Sequence, residues 1–334
     1  MLIPAYICTA AVEPVEAFGG RVEFYEIRKD CIPDLADLEA RIDDQTRAIL
    51  AVHFFGFPCA IRDIRRICDK YGLFLIEDCA HVLQGQDGGQ PLGTFGEVSV
   101  FSWRKFLPLY DGGGLVLNRW VHELTVDWQR ERFLFTLRVA KNLLERALPT
   151  ALASPLSALR LRRSFPSSFG TAANPTSVPL LHVNPDSKSF DQRMINCPIS
   201  RLSRILLEHC LLERVIAKRR TNYCYLCRQL KGVQGVRPLI DNLPAGVCPW
   251  VYPIFFEDMP NGQFPLRKLG IPAVSWGGVR PPRIRSTEFP AADFLYENLV
   301  FLPLHQDLGT KELDLIIEAV KSVRARIEHS PSSS

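Results

Sequence analysis

Two buried stretches of the chain end in residues that could act on one ligand. The apolar residues 73–76 lead into Asp78 and, three positions later, His81. Residues 98–102 form a second such stretch, which ends at Ser102 and is followed by Lys105. In open α/β sheets, ligands bind beyond the carboxyl ends of the strands. We therefore expect these four side chains to face a common site.

The four residue types match the groups of pyridoxal phosphate. An ionised Asp78 could pair with a protonated pyridine nitrogen and keep the ring able to take up electrons. The Ser102 hydroxyl could bind the phosphate, and His81 could point at the same ligand. A free lysine, with a pKa of about 10.4, is a poor nucleophile. Partial burial, or a neighbouring cation such as Arg104, would activate Lys105 for imine formation.

These side chains need a framework of strands and helices. Residues 48–53, 73–76, 98–102 and 115–117 read as strands, and residues 33–42 and 61–71 as helices. Strands that alternate with helices predict an α/β domain with a mainly parallel sheet. A long helical pattern over 199–230, strands at 251–256 and 299–302 and a last helix over 313–323 predict a smaller second α/β domain.

Composition narrows the possible classes of function. The chain has 334 residues, of which 47% are apolar, and a net charge of +4. So small a charge does not indicate nucleic-acid binding. Its apolar runs stop short of the roughly 18 residues that span a bilayer, and the N-terminus has no basic region typical of a signal peptide. We expect a cytoplasmic protein with reduced cysteines.

Five segments of the sequence resemble the DegT/DnrJ/EryC1/StrS family. These segments are Val-His-Phe-Phe-Gly-Phe-Pro at 52–58, Ile-Glu-Asp-Cys-Ala-His at 76–81, Gly-Thr-Phe-Gly at 93–96, Phe-Ser-Trp-Arg-Lys-Phe-Leu-Pro-Leu-Tyr-Asp-Gly-Gly at 101–113 and Leu-Pro-Leu-His-Gln at 302–306. The resemblance is strong over residues 1–118, looser over 190–325 and absent over 120–190. It implies a fold-type I pyridoxal phosphate transferase, similar in fold to aspartate aminotransferase.

The resemblance also implies roles and partners. Lys105 would bond the cofactor and shuttle a proton, Asp78 would hold the pyridine nitrogen, His81 would contact the ring or its phenolic oxygen, and Ser102 would bind phosphate. The donor would be an amino acid such as glutamate, and the acceptor a nucleotide-linked keto-sugar used for sugar or surface-polysaccharide biosynthesis. The enzyme would be a homodimer. We expect a large domain over 1–140, a linker or mobile loop over 141–190, a small domain over 191–328 and a disordered tail over 329–334.

Two departures from the family pattern leave alternatives open. The loop between Ser102 and Lys105 is shorter than in the better-known sugar aminotransferases, which weakens the substrate assignment. The chain also begins at a strand inside the large domain, without the usual preceding turn that cradles the phosphate at a helix N-terminus. We therefore expect an N-terminally truncated member. It would be either an aminotransferase, or an impaired relative with a binding or regulatory role. Related dehydrating enzymes tend to have histidine in place of the lysine, so Lys105 argues against that chemistry.

Other motifs are weaker. Cys224 and Cys227 have a spacing seen in zinc sites, but no second pair accompanies them, and we predict no metal. Residues 85–89 do not form the glycine pattern of a nicotinamide site. Five further residues are possible pocket residues, for which core packing is an equal or better explanation. They are Tyr6, Arg193, Asn196, Trp276 and His305.

Overall fold

The structure is a computed structural model that describes residues 1–119, 125–129, 139–140, 190–285 and 287–328. Its strands are β1 Leu2–Pro4, β2 Glu23–Tyr25, β3 Ala48–Val52, β4 Phe74–Cys79, β5 Gln86–Asp87, β6 Gln90–Pro91, β7 Val98–Phe101, β8 Gly114–Leu117, β9 Val236–Pro238, β10 Tyr252–Phe256 and β11 Leu299–Leu302. Its named α-helices are α1 Thr9–Ala17, α2 Leu35–Ala40, α3 Ile61–Tyr71, α4 Arg201–Glu208, α5 Leu212–Leu230, α6 Gln263–Lys268, α7 Pro290–Asn298 and α8 Thr310–Glu328.

Six strands form a large sheet in the order β2-β1-β3-β4-β7-β8. Neighbours are parallel except for β7 and β8, which are antiparallel. Because β3, β4 and β7 are parallel, their carboxyl ends lie at the same edge of the sheet. The predicted strands are thus confirmed, and so is the predicted α/β fold with a mainly parallel sheet.

Two predicted helices of this part of the chain are present, α2 with its expected N-cap and α3 with its expected C-terminal glycine. Asp34 caps α2, since its side chain accepts hydrogen bonds from the backbone N–H groups of Ala36 and Asp37. Gly72 ends α3 in the left-handed conformation, with a φ of 65° that glycine adopts without strain. In α3 the residues Ile61, Ile64 and Cys68 are buried and form its apolar face.

A three-stranded antiparallel sheet in the order β11-β10-β9, hereafter the small sheet, lies in the C-terminal part of the chain. All residues of β10 and β11 are buried. The Tyr296 hydroxyl in α7 accepts a hydrogen bond from the Ile7 backbone N–H at 2.8 Å. The buried residues of both sheets belong to one continuous hydrophobic core.

The long helix predicted over 199–230 is wrong as a single element. Helix α4 ends before His209, and α5 begins after Leu211. The Nδ1 atom of His209 lies 2.8 Å from the Ile205 carbonyl oxygen, so the ring makes a hydrogen bond with a carbonyl in the last turn of α4. The helix is therefore interrupted between Glu208 and Leu212.

Several predictions fall on residues that the structure does not describe. They concern the linker over 141–190, except for residue 190, and the tail over 329–334. None of the helices in the described part of the chain has the length and apolar character needed to cross a bilayer.

Candidate active site

Asp78 lies near the carboxyl end of β4, in the middle of the large sheet. It is in register with Val52 of β3 on one side and with Val100 of β7 on the other. Its side chain is half-buried, and Oδ1 accepts a hydrogen bond from the backbone N–H of Ala80 at 2.8 Å. The strand alternates, so the preceding Glu77 is fully buried on the opposite face. Asp78 therefore lies on the other face, at the edge of the sheet where the carboxyl ends of β3, β4 and β7 meet.

Ser102 and Lys105 begin and end one short turn. Ser102 directly follows β7, and residues 103–105 form a 3₁₀ helix in which the Lys105 backbone N–H donates to the Ser102 carbonyl at 3.2 Å. Residues three apart in such a helix lie on the same side. Both side chains are half-buried, and the Ser102 hydroxyl makes no capping hydrogen bond to the turn.

The Lys105 amine is in an environment that favours its neutral form. Burial lowers the pKa of Lys105, and Arg104 lowers it further, while Asp78 and Cys8 act in the opposite direction. The Nζ atom lies 5.0 Å from the centre of the Trp250 ring. It forms no hydrogen bond with any residue in the described ranges. An unpartnered amine of lowered pKa is suited to attack an aldehyde carbon.

His81 is almost completely buried among aromatic rings. It stacks on Trp250 with ring centres 4.2 Å apart, and its Nδ1 accepts a hydrogen bond from the Phe55 backbone N–H at 3.2 Å. Phe55 adopts a left-handed conformation with a φ of 59°, which is unusual for a bulky residue. Burial and the nearby Lys105 charge hold the pKa of His81 well below its usual range. The neutral ring therefore carries its proton on Nε2.

Asp78, His81 and Lys105 are close enough for the charge of one to alter the pKa of another. Ser102 lies at the same edge, one turn before the lysine. A carboxylate, a hydroxyl and a free amine at the ends of adjacent strands are the donor set that the pyridine nitrogen, phosphate and aldehyde of pyridoxal phosphate require. The residues present thus fit this cofactor.

Two residues of the site were not found from the sequence. Cys8, the N-cap of α1, is close enough to Lys105 and Asp78 for their charges to affect its pKa, which burial raises. It follows β1, so the rule about strand ends could have found it. Trp250 comes from the C-terminal part of the chain and carries no local signal that links it to Lys105.

Of the five weaker candidates, Tyr6 and Trp276 belong to the aromatic cluster around His81. Trp276 packs 5.5 Å from His81 and 4.9 Å from Tyr6, and both Trp276 and Tyr6 are buried in this aromatic cluster. Asn196 has a left-handed backbone with a φ of 61°, and the His305 ring lies 3.5 Å from Asp307. The side chain of Arg193 is outside the described part of the structure.

One buried group in the described residues has the composition of a metal site. Ligand atoms of His53, Glu77 and Cys79 lie within 4.8 Å of one another. The Glu77 oxygens, however, already accept backbone N–H groups from Gly93, Phe95 and Gly96, and Oε2 lies 3.0 Å from His53 Nε2. Burial and the Glu77 charge also raise the pKa of Cys79, which disfavours a thiolate. The arrangement is therefore that of a hydrogen-bonded ion pair.

Comparison with known proteins agrees with this geometry. Residues 1–119 match the model of the DegT/DnrJ/EryC1/StrS aminotransferase family. This part of the chain is similar to that family. The matched range contains Asp78, His81, Ser102 and Lys105, the residues predicted from the strand ends.

The relatives include proteins named as aminotransferases of nucleotide-linked sugars. GDP-perosamine synthase of Vibrio cholerae is 35% identical over 121 residues, which cover 35% of this chain and 33% of that protein. The family match covers only residues 1–119. The chain spans about a third of the length of the curated relatives it matches.

Solved structures extend the similarity of fold to nearly the whole chain. The Streptococcus pneumoniae protein Spr1654, assigned as a sugar aminotransferase, superposes in its PLP form with a TM-score of 0.67 at 18% identity, over 98% of this chain and 81% of its own. DesI, solved with its TDP-sugar product, has a TM-score of 0.66 at 17% identity, over 98% of this chain and 76% of its own. The fold-type I architecture predicted from the sequence is confirmed.

Proposed function

We propose that the chain is an aminotransferase that depends on pyridoxal 5′-phosphate. The observation that carries this proposal is the Lys105 amine, which has a lowered pKa, lies close to Asp78 and lacks a hydrogen-bond partner among the described residues. The family of residues 1–119 and the PLP and PMP forms of Spr1654 support the same cofactor.

Each site residue has one task in this proposal. When bound, the cofactor would supply an aldehyde carbon and a ring that takes up electrons. Asp78 would orient the ring and hold a proton on its nitrogen, and Ser102 would bind the phosphate. His81, fixed by Phe55, would direct its Nε2 proton to the phenolic oxygen. Lys105 would form the covalent bond and then carry the proton between the reacting carbons.

The proposed substrates are an amino acid donor such as glutamate and a nucleotide-linked keto-sugar. GDP-perosamine synthase and the TDP-sugar product of DesI support a nucleotide-linked acceptor.

We also propose that the protein works in the cytoplasm as a homodimer, in sugar or surface-polysaccharide biosynthesis. Residues 1–140 would bind the cofactor, and 191–328 would form the smaller domain. Light scattering after size-exclusion chromatography tests the dimer directly.

Reductive trapping tests the cofactor and its lysine. Purified protein is incubated with pyridoxal 5′-phosphate, reduced with borohydride and digested for mass spectrometry. We expect the pyridoxyl adduct on Lys105, no adduct at this position in Lys105→Ala, and normal labelling in the control Lys70→Ala, whose amine pairs with Glu39 on the surface. Wild-type protein that remains unlabelled, or is labelled only at other lysines, would contradict the proposal.

Asp78→Asn tests the ring contact separately. Loss of a charged hydrogen-bond partner costs about 1.5–3 kcal/mol, so cofactor affinity should fall roughly tenfold or more.

The substrate class is tested by incubating loaded protein with glutamate and GDP- or TDP-linked 4-keto-sugars. Mass spectrometry should show the amino-sugar and 2-oxoglutarate together. Turnover of glutamate with simple keto acids but no keto-sugar would contradict the acceptor.

A further inference from the structure

Arg219 in α5 is a buried cation that makes its contacts without a carboxylate partner. Only 2% of its surface is exposed. Among the described residues, no acidic group lies within ion-pair distance of its guanidinium, and burial lowers the pKa of Arg219 to about 10. A buried charge without an ionic partner is expensive for folding. Its contacts at this place therefore indicate a role beyond stability.

All of its hydrogen bonds go to oxygen atoms next to the candidate active site. Nε donates to the side-chain oxygen of Gln306 at 3.0 Å, one terminal nitrogen to the Trp250 carbonyl at 2.8 Å, and the other to the Phe106 carbonyl at 3.4 Å. The guanidinium also lies 5.0 Å from the centre of the Phe106 ring. Gln306 completes the arrangement by donating to the same Phe106 carbonyl at 3.1 Å.

These contacts fix both sides of the lysine. Phe106 directly follows Lys105, so its carbonyl sets the end of the turn that carries the amine. Trp250 lies on the other side, with its ring 5.0 Å from Nζ and stacked on His81. The two segments are far apart in the sequence. Arg219 donates hydrogen bonds to both segments, at Phe106 and at Trp250. Gln306 bonds to Arg219 and to Phe106 and so supports this bridge.

We propose that Arg219 is a positioning residue that holds the Lys105 turn against the Trp250 indole, and so keeps the amine beside Asp78 and partly shielded from water. The inference rests on the proposed function, since it gives the lysine its chemical role. Three oxygens in three directions suit the planar guanidinium fork, whereas a lysine ammonium carries its three donors on one nitrogen and lacks the fixed fork. Charge alone should therefore not replace Arg219.

The neighbouring Arg220 provides a matched control. It lies on the same helix and also donates to backbone carbonyls, those of Pro244 at 3.0 Å and of Val247. Neither carbonyl belongs to the Lys105 turn or to Trp250. Arg220→Met removes an arginine of similar bonding pattern without touching the proposed contacts.

The test uses the full chain without added cofactor. The rate at which acetic anhydride labels Lys105 is measured by mass spectrometry from pH 6 to 11 in wild type, Arg219→Met, Arg219→Lys and Arg220→Met. Burial is the largest cause that lowers the pKa of Lys105. Release of the turn should move the midpoint of labelling to higher pH in both Arg219 variants. The Arg220→Met midpoint should stay at the wild-type value.

The outcomes distinguish a positioning role of Arg219 from an effect of its charge alone and from a loss of folding. A wild-type midpoint in Arg219→Lys would show that charge suffices and overturn the proposal, as would an unchanged midpoint in Arg219→Met with a native melting curve. If neither Arg219 variant folds, Gln306→Leu tests the proposal instead. This change removes the side-chain acceptor of Arg219 and the side-chain donor to the Phe106 carbonyl. A folded Gln306→Leu protein with the wild-type midpoint of labelling overturns the proposal. Failure of wild type to bind pyridoxal 5′-phosphate would contradict the proposed function and leave these labelling results intact.

Discussion

His53 Nε2 lies 3.0 Å from Glu77 Oε2, and both side chains are completely buried beneath the strand end that carries Asp78. Burial alone would lower the pKa of His53, but the contacts with Cys59 and Glu77 raise it to about 10. Burial would likewise raise the pKa of Glu77, yet His53 and the backbone N–H groups hold it below its usual range. Both shifts favour the ionised forms of the pair. Through the Glu77 oxygens the pair joins β4 to the loop that leads into β7.

Replacing Glu77 with glutamine should destabilise the protein strongly. Both carboxylate oxygens accept backbone N–H groups, so an amide nitrogen must face at least one of those donors. Removing one partner of a buried ion pair costs about 3–5 kcal/mol. Urea denaturation of Glu77→Gln and of Glu39→Gln, a surface carboxylate bonded to Lys70, provides the comparison. Equal small losses in both variants would contradict a structural role for the pair.

The same pair predicts how stability depends on pH. The pKa of His53 is raised in the folded state, so its contribution is complete below pH 6.5 and disappears as the pH rises toward about 10. The loss is at most ~1.4 kcal/mol per pH unit. The pKa of Glu77 is lowered, so its contribution is lost as the pH falls below the ordinary value of 4.5.

Denaturation of wild type and His53→Gln across pH 5–10 isolates this effect. Other groups titrate in both proteins, so the difference between the two curves reports His53. We expect that difference to shrink steadily between pH 6.5 and 10. A difference that does not change with pH would show that His53 is neutral in the folded protein.

The strands, and the places of Asp78 and Lys105 after two of them, were predictable because their signals are local. Residues 73–76 are apolar and follow a helix that Gly72 ends, which predicts β4 and places Asp78 at its carboxyl end. The break at 209–211 was not predicted, because the apolar pattern continues through it. The backbone of His209 and the contact of its ring with the Ile205 carbonyl show where α4 stops.

The contacts around Lys105 were not predictable in the same way. Arg219 meets Phe106 across 113 residues. Trp250, which precedes β10, reaches Lys105 from a distant part of the sequence through the shared core. Neither residue type has a spacing that indicates such a contact. The sequence thus predicted which side chains follow the ends of adjacent strands, while their contacts with the C-terminal part of the chain depend on tertiary packing.

Tyr296→Phe should weaken the contact between α7 and the chain segment before α1. The Tyr296 hydroxyl accepts the Ile7 N–H at 2.8 Å and lies 2.9 Å from the Ala5 carbonyl oxygen. Phenylalanine would leave a buried N–H without a partner, which costs about 1–3 kcal/mol. Thermal melting of this variant is compared with that of Tyr225→Phe, whose hydroxyl bonds to Asp314 on the surface. Indistinguishable melting temperatures would contradict the importance of this contact.

Asp111→Asn should loosen the glycine loop that follows Lys105. The Asp111 carboxylate accepts the Ser200 backbone N–H at 2.7 Å, the Ser200 hydroxyl at 2.8 Å and the Ser203 hydroxyl, and so ties the loop to the start of α4. An amide can accept through only one oxygen, and loss of charged hydrogen bonds costs about 1.5–3 kcal/mol. Because the Ser200 cap belongs to α4, we expect faster amide hydrogen exchange over residues 201–208 than in the control Asp44→Asn. Unchanged exchange in α4, together with unchanged global stability, would show that Asp111 does not anchor the loop.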